Sequence, residues 1–147
     1  MQVTAPTGRI VNVNEDDLTM ILADRLALIV PPGFHVQADD GTLWYSAEEG
    51  RFPGQQGNYH VGRSGTHIRA NLGGQGDTDA DAIVRVAVLA LDHLQDYVSE
   101  ATHDPWPGTS SQPRPSAQVR GRMLHLWYGE PDNVVLACRP IPLGDQR

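Results

Sequence analysis

The chain has 147 residues, a formal net charge of −7 at pH 7 and eleven basic residues, all of them arginine. The absence of lysine excludes Schiff-base and internal-aldimine enzymes and phosphate loops built on a lysine. The negative charge, with arginines scattered except for Arg120 and Arg122, argues against nucleic-acid partners.

A length of this order fits one domain, 1–147, that buries roughly two-thirds of the surface of its unfolded form. Residues 1–8 and 142–147 read as tails. No apolar run, 26–30 included, is long enough to cross a bilayer, and no basic start precedes an apolar run, so a cytoplasmic protein without a membrane partner is expected. One cysteine, Cys138, precludes an internal disulfide and reads as a small buried hydrophobe.

In chain order, 9–13 reads as an edge strand. Asn14 offers a helix N-cap, with Glu15, Asp16 and Asp17 placed to complement the helix dipole. Leu18, Ile21, Leu22 and Ile29 share one face of that helix, Arg25 intrudes on it, and Pro31, Pro32 and Gly33 end it. Strands 34–38 and 42–47 flank Asp40-Gly41, a hairpin dipeptide, which sets Val36 against Tyr45 and Ala38 against Leu43. A loop over 48–57 leads to a second expected hairpin, 58–61 and 66–72, turning at 62–65, with Ile68, Ala70 and Leu72 alternating inward.

Gly73, Gly74 and Gly76 precede the best-defined helix. Thr78 reads as its cap, with Asp81 three positions on as in a capping box. Ile83, Ala87, Ala90, Leu91, Leu94, Val98 and Ala101 form its apolar side; Arg85, Asp92, Gln95, Asp96 and Ser99 lie opposite. Pro105 and Pro107 stop it. A Ser- and Pro-rich mobile loop over 108–118 is followed by strands 119–128 and 134–141, joined through 129–133. Leu124, Leu126 and Tyr128 share one strand face, Met123, His125 and Trp127 the other. No repeat period is evident. The order α-ββ-ββ-α-ββ predicts an α+β fold of two layers: a mainly antiparallel sheet of five to six strands, in three hairpins, with two helices packed on one face. This order resembles secretion-chaperone-like α+β folds in layout alone, and no functional residue carries over.

The chemistry-bearing residues form few complete sets. A turn at 62–65 would place His60 across from His67, a pair that still lacks a third metal ligand. A four-residue loop at 130–133 would pair His125 with Cys138, the minimum unit of thiol activation, or join all four residues in a zinc site; a one-residue shift dissolves the dyad. Asp77, Asp79 and Asp81 have calcium-loop spacing without the glycine and glutamate such a loop needs, and so read as helix-start residues. The glycines at 73, 74 and 76 resemble an anion loop, but the aspartates after them repel phosphate. Ser64, between Arg63 and Gly65, lacks the spacing of a nucleophile elbow.

The informative set is aromatic. Trp44, Trp127, Trp106 and Tyr59, with His125, are the candidate binding residues. They predict a non-catalytic, chaperone- or adaptor-like module that takes a protein or peptide, a homodimer included, on an open sheet face, with no cofactor implied. Two other classes stand beside it. One is a small-molecule or metal-binding protein or enzyme using His35, His60, His67, His125 or Cys138. The other is an inhibitor that meets a basic partner through acidic surface.

Overall fold

A computed structural model describes residues 10–11, 14–56, 62–72, 78–108 and 112–144. Helix α1 spans Glu15–Ala27, and the Asn14 side chain caps it as expected, accepting from the backbone N–H of Asp16 (2.8 Å) and Asp17 (3.3 Å). Leu18, Leu22 and Leu26 are buried, and Ile21 and Ile29 pack against the same core. Arg25 is accommodated on that face because its guanidinium reaches the flank and donates to the carbonyl of Pro140.

Strands β2 (Phe34–Asp39) and β3 (Thr42–Ala47) pair in the expected register, Val36 against Tyr45 and Ala38 against Leu43. Their turn residues, Asp40 (φ 50°) and Gly41 (φ 73°), are both left-handed, the conformation that matches the twist of a two-residue hairpin. The turn expected at 62–65 does not form, and the expected strand 58–61 lies outside the described residues. Instead Ser64–His67 is strand β4, paired with β3, and Ile68–Leu72 is a short helix, α2. The amides of Ile68 and Arg69 both donate to the Gly41 carbonyl, which turns the chain out of the sheet. Ile68 and Leu72 are buried while Ala70 is exposed, so the spacing read as alternation is that of one helical turn.

Strand β1 (Ile10–Val11) pairs with β5 (Thr78–Asp79), so Thr78 lies in a strand and helix α3 begins after it, spanning Ala80–Thr102, about 35 Å long. His103, at φ 61°, takes the left-handed conformation that closes a helix, ahead of Pro105.

The C-terminal region has four strands where two were expected. Gly121 (φ 61°) and Arg122 break the run 119–128, giving β6 (Pro115–Arg120) and β7 (Met123–Glu130). The last residues of the 108–118 loop are therefore in a sheet. Strands β8 (Asn133–Ala137) and β9 (Ile141–Pro142) pair with the other edge of β7, and Leu143 is buried, so the ordered chain runs into the expected tail.

The single sheet of the sequence reading is thus corrected to two larger sheets, β2-β3-β4 and the four-stranded sheet built on β6-β7-β8 with β9, plus the small β1-β5 pair. The reason lies in α3. Its buried arc also includes Val86, Gln95 and Tyr97, too wide for one layer to cover, and it packs against both larger sheets. Gln95, expected on the polar side, is buried because its amide donates to the Pro113 carbonyl at 2.7 Å. Tyr45 from β3 and Tyr128 from β7 donate to successive α3 carbonyls, those of Ala90 (3.3 Å) and Leu91 (2.6 Å).

The chain also repeats a supersecondary unit, which the sequence pattern had not revealed. A helix followed by a three-stranded meander occurs as α1-β2-β3-β4 and again as α3-β6-β7-β8, and in each the helix packs chiefly on the first strand. Leu43-Trp44-Tyr45 and Leu126-Trp127-Tyr128 fall on the central strands of the two units. In both, the tyrosine points at α3 and the tryptophan lies on the face turned away.

Leu94 is buried at the heart of α3, and Gly54 sits against the backbone of Glu100 and Ala101 with no room for a methyl group. Urea denaturation should show Leu94→Ala losing about 2–5 kcal/mol and Gly54→Ala about 1–3 kcal/mol. Changes below about 0.5 kcal/mol in both would contradict this packing.

Candidate functional site

The two faces turned away from α3 carry most of the candidate binding residues. On the first sheet, register places His35, Gln37 and Asp39 beside Thr42, Trp44 and Ser46, and these beside Gly65 and His67. The Trp44 ring lies over Gly65, where a Cβ would approach it to 2.9 Å, and the guanidinium of Arg63 stands 3.7 Å from the ring centroid. A cation over an indole face is attracted by the ring quadrupole, so Arg63 holds Trp44 flat on the sheet.

His67 is exposed. Its Nδ1 meets the Thr42 hydroxyl at 3.2 Å, and Thr42 is the residue across from it in the sheet. His60 and Tyr59 lie outside the described residues. Among the described residues, no three His, Cys, Asp or Glu side chains gather as a metal-binding set.

On the second sheet Trp127 lies between Ser116 and Ala137, and His125 lies opposite Gln118. Trp127 donates its indole N–H to the Gly129 carbonyl at 3.1 Å, which fixes the ring along the strand. Val134 and Val135 on the neighbouring strand are 48% and 47% exposed, following exposed Glu130, Asp132 and Asn133 of the turn. Trp106, expected at the surface, is half-buried, as Trp44 and Trp127 are. Its ring packs edge-on against Tyr128, centroids 5.3 Å apart, and closes the core.

The thiol-imidazole pair is not assembled. Glu130 pairs with Asn133 about a two-residue turn, and a bulge at Tyr128/Gly129 shifts the register so that Trp127 faces Ala137. The amide of Cys138 consequently bonds to the Leu126 carbonyl at 3.0 Å. Cys138 is buried on the core face with Leu126, whereas His125 is on the opposite face. Burial lifts the thiol from its ordinary 9.0 to about 11, with nearby Arg25 offsetting part of the rise.

One polar chain was missed by sequence reasoning, because its members are far apart in the chain and form no motif. The Thr66 hydroxyl lies 2.6 Å from the Tyr45 hydroxyl and 2.7 Å from Nδ1 of His93. With Tyr45 donating to Ala90, Thr66 donates to Tyr45 and accepts from the His93 ring, so each buried hydroxyl is satisfied. Burial raises the pKa of Tyr45 and Tyr128 well above the ordinary phenol value, which keeps both neutral.

The surface of the described residues includes two open grooves. One, of about 510 Å³, runs along β2 between α1 and Trp44, lined by Met20, Asp24, Val36, Asp39 and Arg63 among others. The second, of about 610 Å³, is an apolar recess over Val84, Val88 and Leu89 flanked by Arg85 and Arg114. No helix among the described residues is long and apolar enough to cross a membrane. Comparison with family models, with curated proteins and with solved structures finds no match.

The buried thiol gives a direct check. A folded-state pKa raised above the unfolded value means that the native state holds the proton longer, so stability declines as pH climbs from 9.0 toward about 11. Cys138 should resist iodoacetamide at pH 8 until denaturant is added, and Cys138→Ala should flatten the first part of the alkaline decline. Rapid labelling of native protein would contradict this placement.

Proposed function

We propose that this chain is a small acidic, cytoplasmic, non-catalytic protein-binding module, chaperone- or adaptor-like, that takes another protein or peptide on the outer faces of its sheets. A second copy of the chain is among its partners. One observation carries the reading: both sheets direct a tryptophan, Trp44 or Trp127, away from α3, onto faces that no described helix covers. Both rings are half-buried, and a tryptophan ring contributes strongly to binding once a partner dries it. Around Trp127 the exposed valines and His125 supply an apolar centre with a polar margin, the composition of an interface core and rim.

The reading built on a metal or a reactive thiol has less support. His67 faces Thr42, and His125 and Cys138 point to opposite sides of one sheet. The acidic surface remains suited to a basic partner, and attraction of that kind weakens with salt.

Trp127→Ala and Trp44→Ala separate binding from folding, since neither ring is part of the buried core. Titration calorimetry against the partner recovered from the native host should show at least one variant binding about 30-fold more weakly, the effect of a hot-spot residue, with its thermal unfolding unchanged. Unaltered affinity in both, or collapse of the fold in both, would refute the proposal.

A further inference from the structure

Strand β2 is the edge of its sheet, and its open side has a definite hydrogen-bonding pattern. Asp39 and Thr42 flank a two-residue turn and so form a bonded pair, and bonded pairs alternate along the ladder. Gln37 with Trp44 and His35 with Ser46 continue the series, and the Glu48 amide extends it by donating to the Gly33 carbonyl at 2.8 Å. The N–H and C=O groups of Val36 and Ala38 therefore point away from β3 into the 510 Å³ groove, and no described residue pairs with them. An extended backbone is the ligand that satisfies such a row.

We propose that the occupant is β2 of a second copy, paired antiparallel about a two-fold axis at Gln37. This deepens the protein-binding reading above by fixing one partner and its register. Symmetry and bonding leave little choice. Pairing Val36 with Ala38 of the other copy, and the reverse, engages both open residues in reciprocal backbone bonds. A register centred on Val36 would require the Phe34 amide, which already donates to the Pro31 carbonyl.

The side chains match in that register. On the outer face Gln37 meets Gln37 across the axis, and each Asp39 lies opposite the other copy's His35, a carboxylate facing an imidazole donor. On the inner face Val36 meets Ala38. Met20, 59% exposed on the flank of α1 that lines the groove, is carried towards the joint. The sequence His35-Val36-Gln37-Ala38-Asp39 is thus complementary to itself, which an edge serving an unrelated peptide does not require. The product is a continuous six-stranded sheet with both Trp44 rings on one surface.

The test is a symmetric crosslink. Opposed residues of a non-bonded pair have Cα atoms about 4.5 Å apart, within disulfide range. Gln37→Cys in a Cys138→Ala background should oxidise to a covalent dimer, and His35→Cys in the same background should not. Ala38→Pro removes one outward N–H and leaves the β2-β3 ladder intact, so sedimentation should find a folded monomer where the parent chain dimerises. Should that variant not fold, His35→Asp supplies like charges opposite Asp39 and should weaken dimerisation about tenfold or more, and His35→Asp with Asp39→His should restore it. A parent chain that remains monomeric, Gln37→Cys failing to crosslink, or a dimer that survives Ala38→Pro would overturn the proposal. Ala38→Pro should leave affinity at the Trp127 face intact, so failure here and failure of the binding reading give different results.

Discussion

The structure depends on burying one helix from two directions. Helix α3 presents apolar side chains from Ile83 to Ala101 over an arc that a single layer cannot cover, and both larger sheets contribute to its cover. Apolar surface removed from water stabilises by roughly 25 cal/mol per Å², so a helix covered on two sides is the largest single contribution this fold contains. Tyr45 and Tyr128 add direction to that burial. Each spans from its own sheet to a carbonyl of α3, the two carbonyls are adjacent, and the phenols are held neutral by their surroundings. The helix is thereby fixed in rotation as well as position.

That arrangement determines which surfaces are left over. A strand alternates its side chains between faces, so Tyr45 and Tyr128 facing α3 places Trp44 and Trp127 outward. The same Leu-Trp-Tyr triplet does this in both units, and the uncovered faces are a consequence of how the core is closed. The chemistry of the two faces differs. Trp44 is held under Arg63 beside polar neighbours and an open strand edge, whereas Trp127 lies near exposed valines. On the proposals above, one molecule would use that edge for symmetric pairing and the separate Trp127 face for another protein.

Much of this was legible from local signals. The Asn14 cap, the Asp40-Gly41 turn and the apolar period of α3 each act within a few residues, and each holds in the fold. Trp44 and Trp127 read as binding candidates from the size of their rings, and the sequence does not decide which of them faces outward. What was hidden depends on contacts distant in sequence. Ile68 and Leu72 suit a strand or a helical turn equally, and the Gly41 carbonyl decides between them. Gln95 reads as polar surface until Pro113 supplies an acceptor. The bulge at Tyr128/Gly129 moves Cys138 one position, sufficient to separate it from His125. The division into two sheets follows from the breadth of the α3 arc, which a list of seven apolar positions understates because Val86, Tyr97 and Gln95 complete it. The repeated unit escaped notice because its two copies share little beyond Leu-Trp-Tyr, and their helices differ by ten residues, 13 against 23.

Native-state hydrogen exchange followed by NMR tests the central claim most directly, because it measures the free energy of opening residue by residue. If α3 is held from two sides, the amides from Ala90 to Gln95 should exchange only through global unfolding, with the same denaturant dependence as those of β3 and β7. Exchange of those helix amides through smaller openings, while either sheet stays protected, would contradict a fold built around this helix.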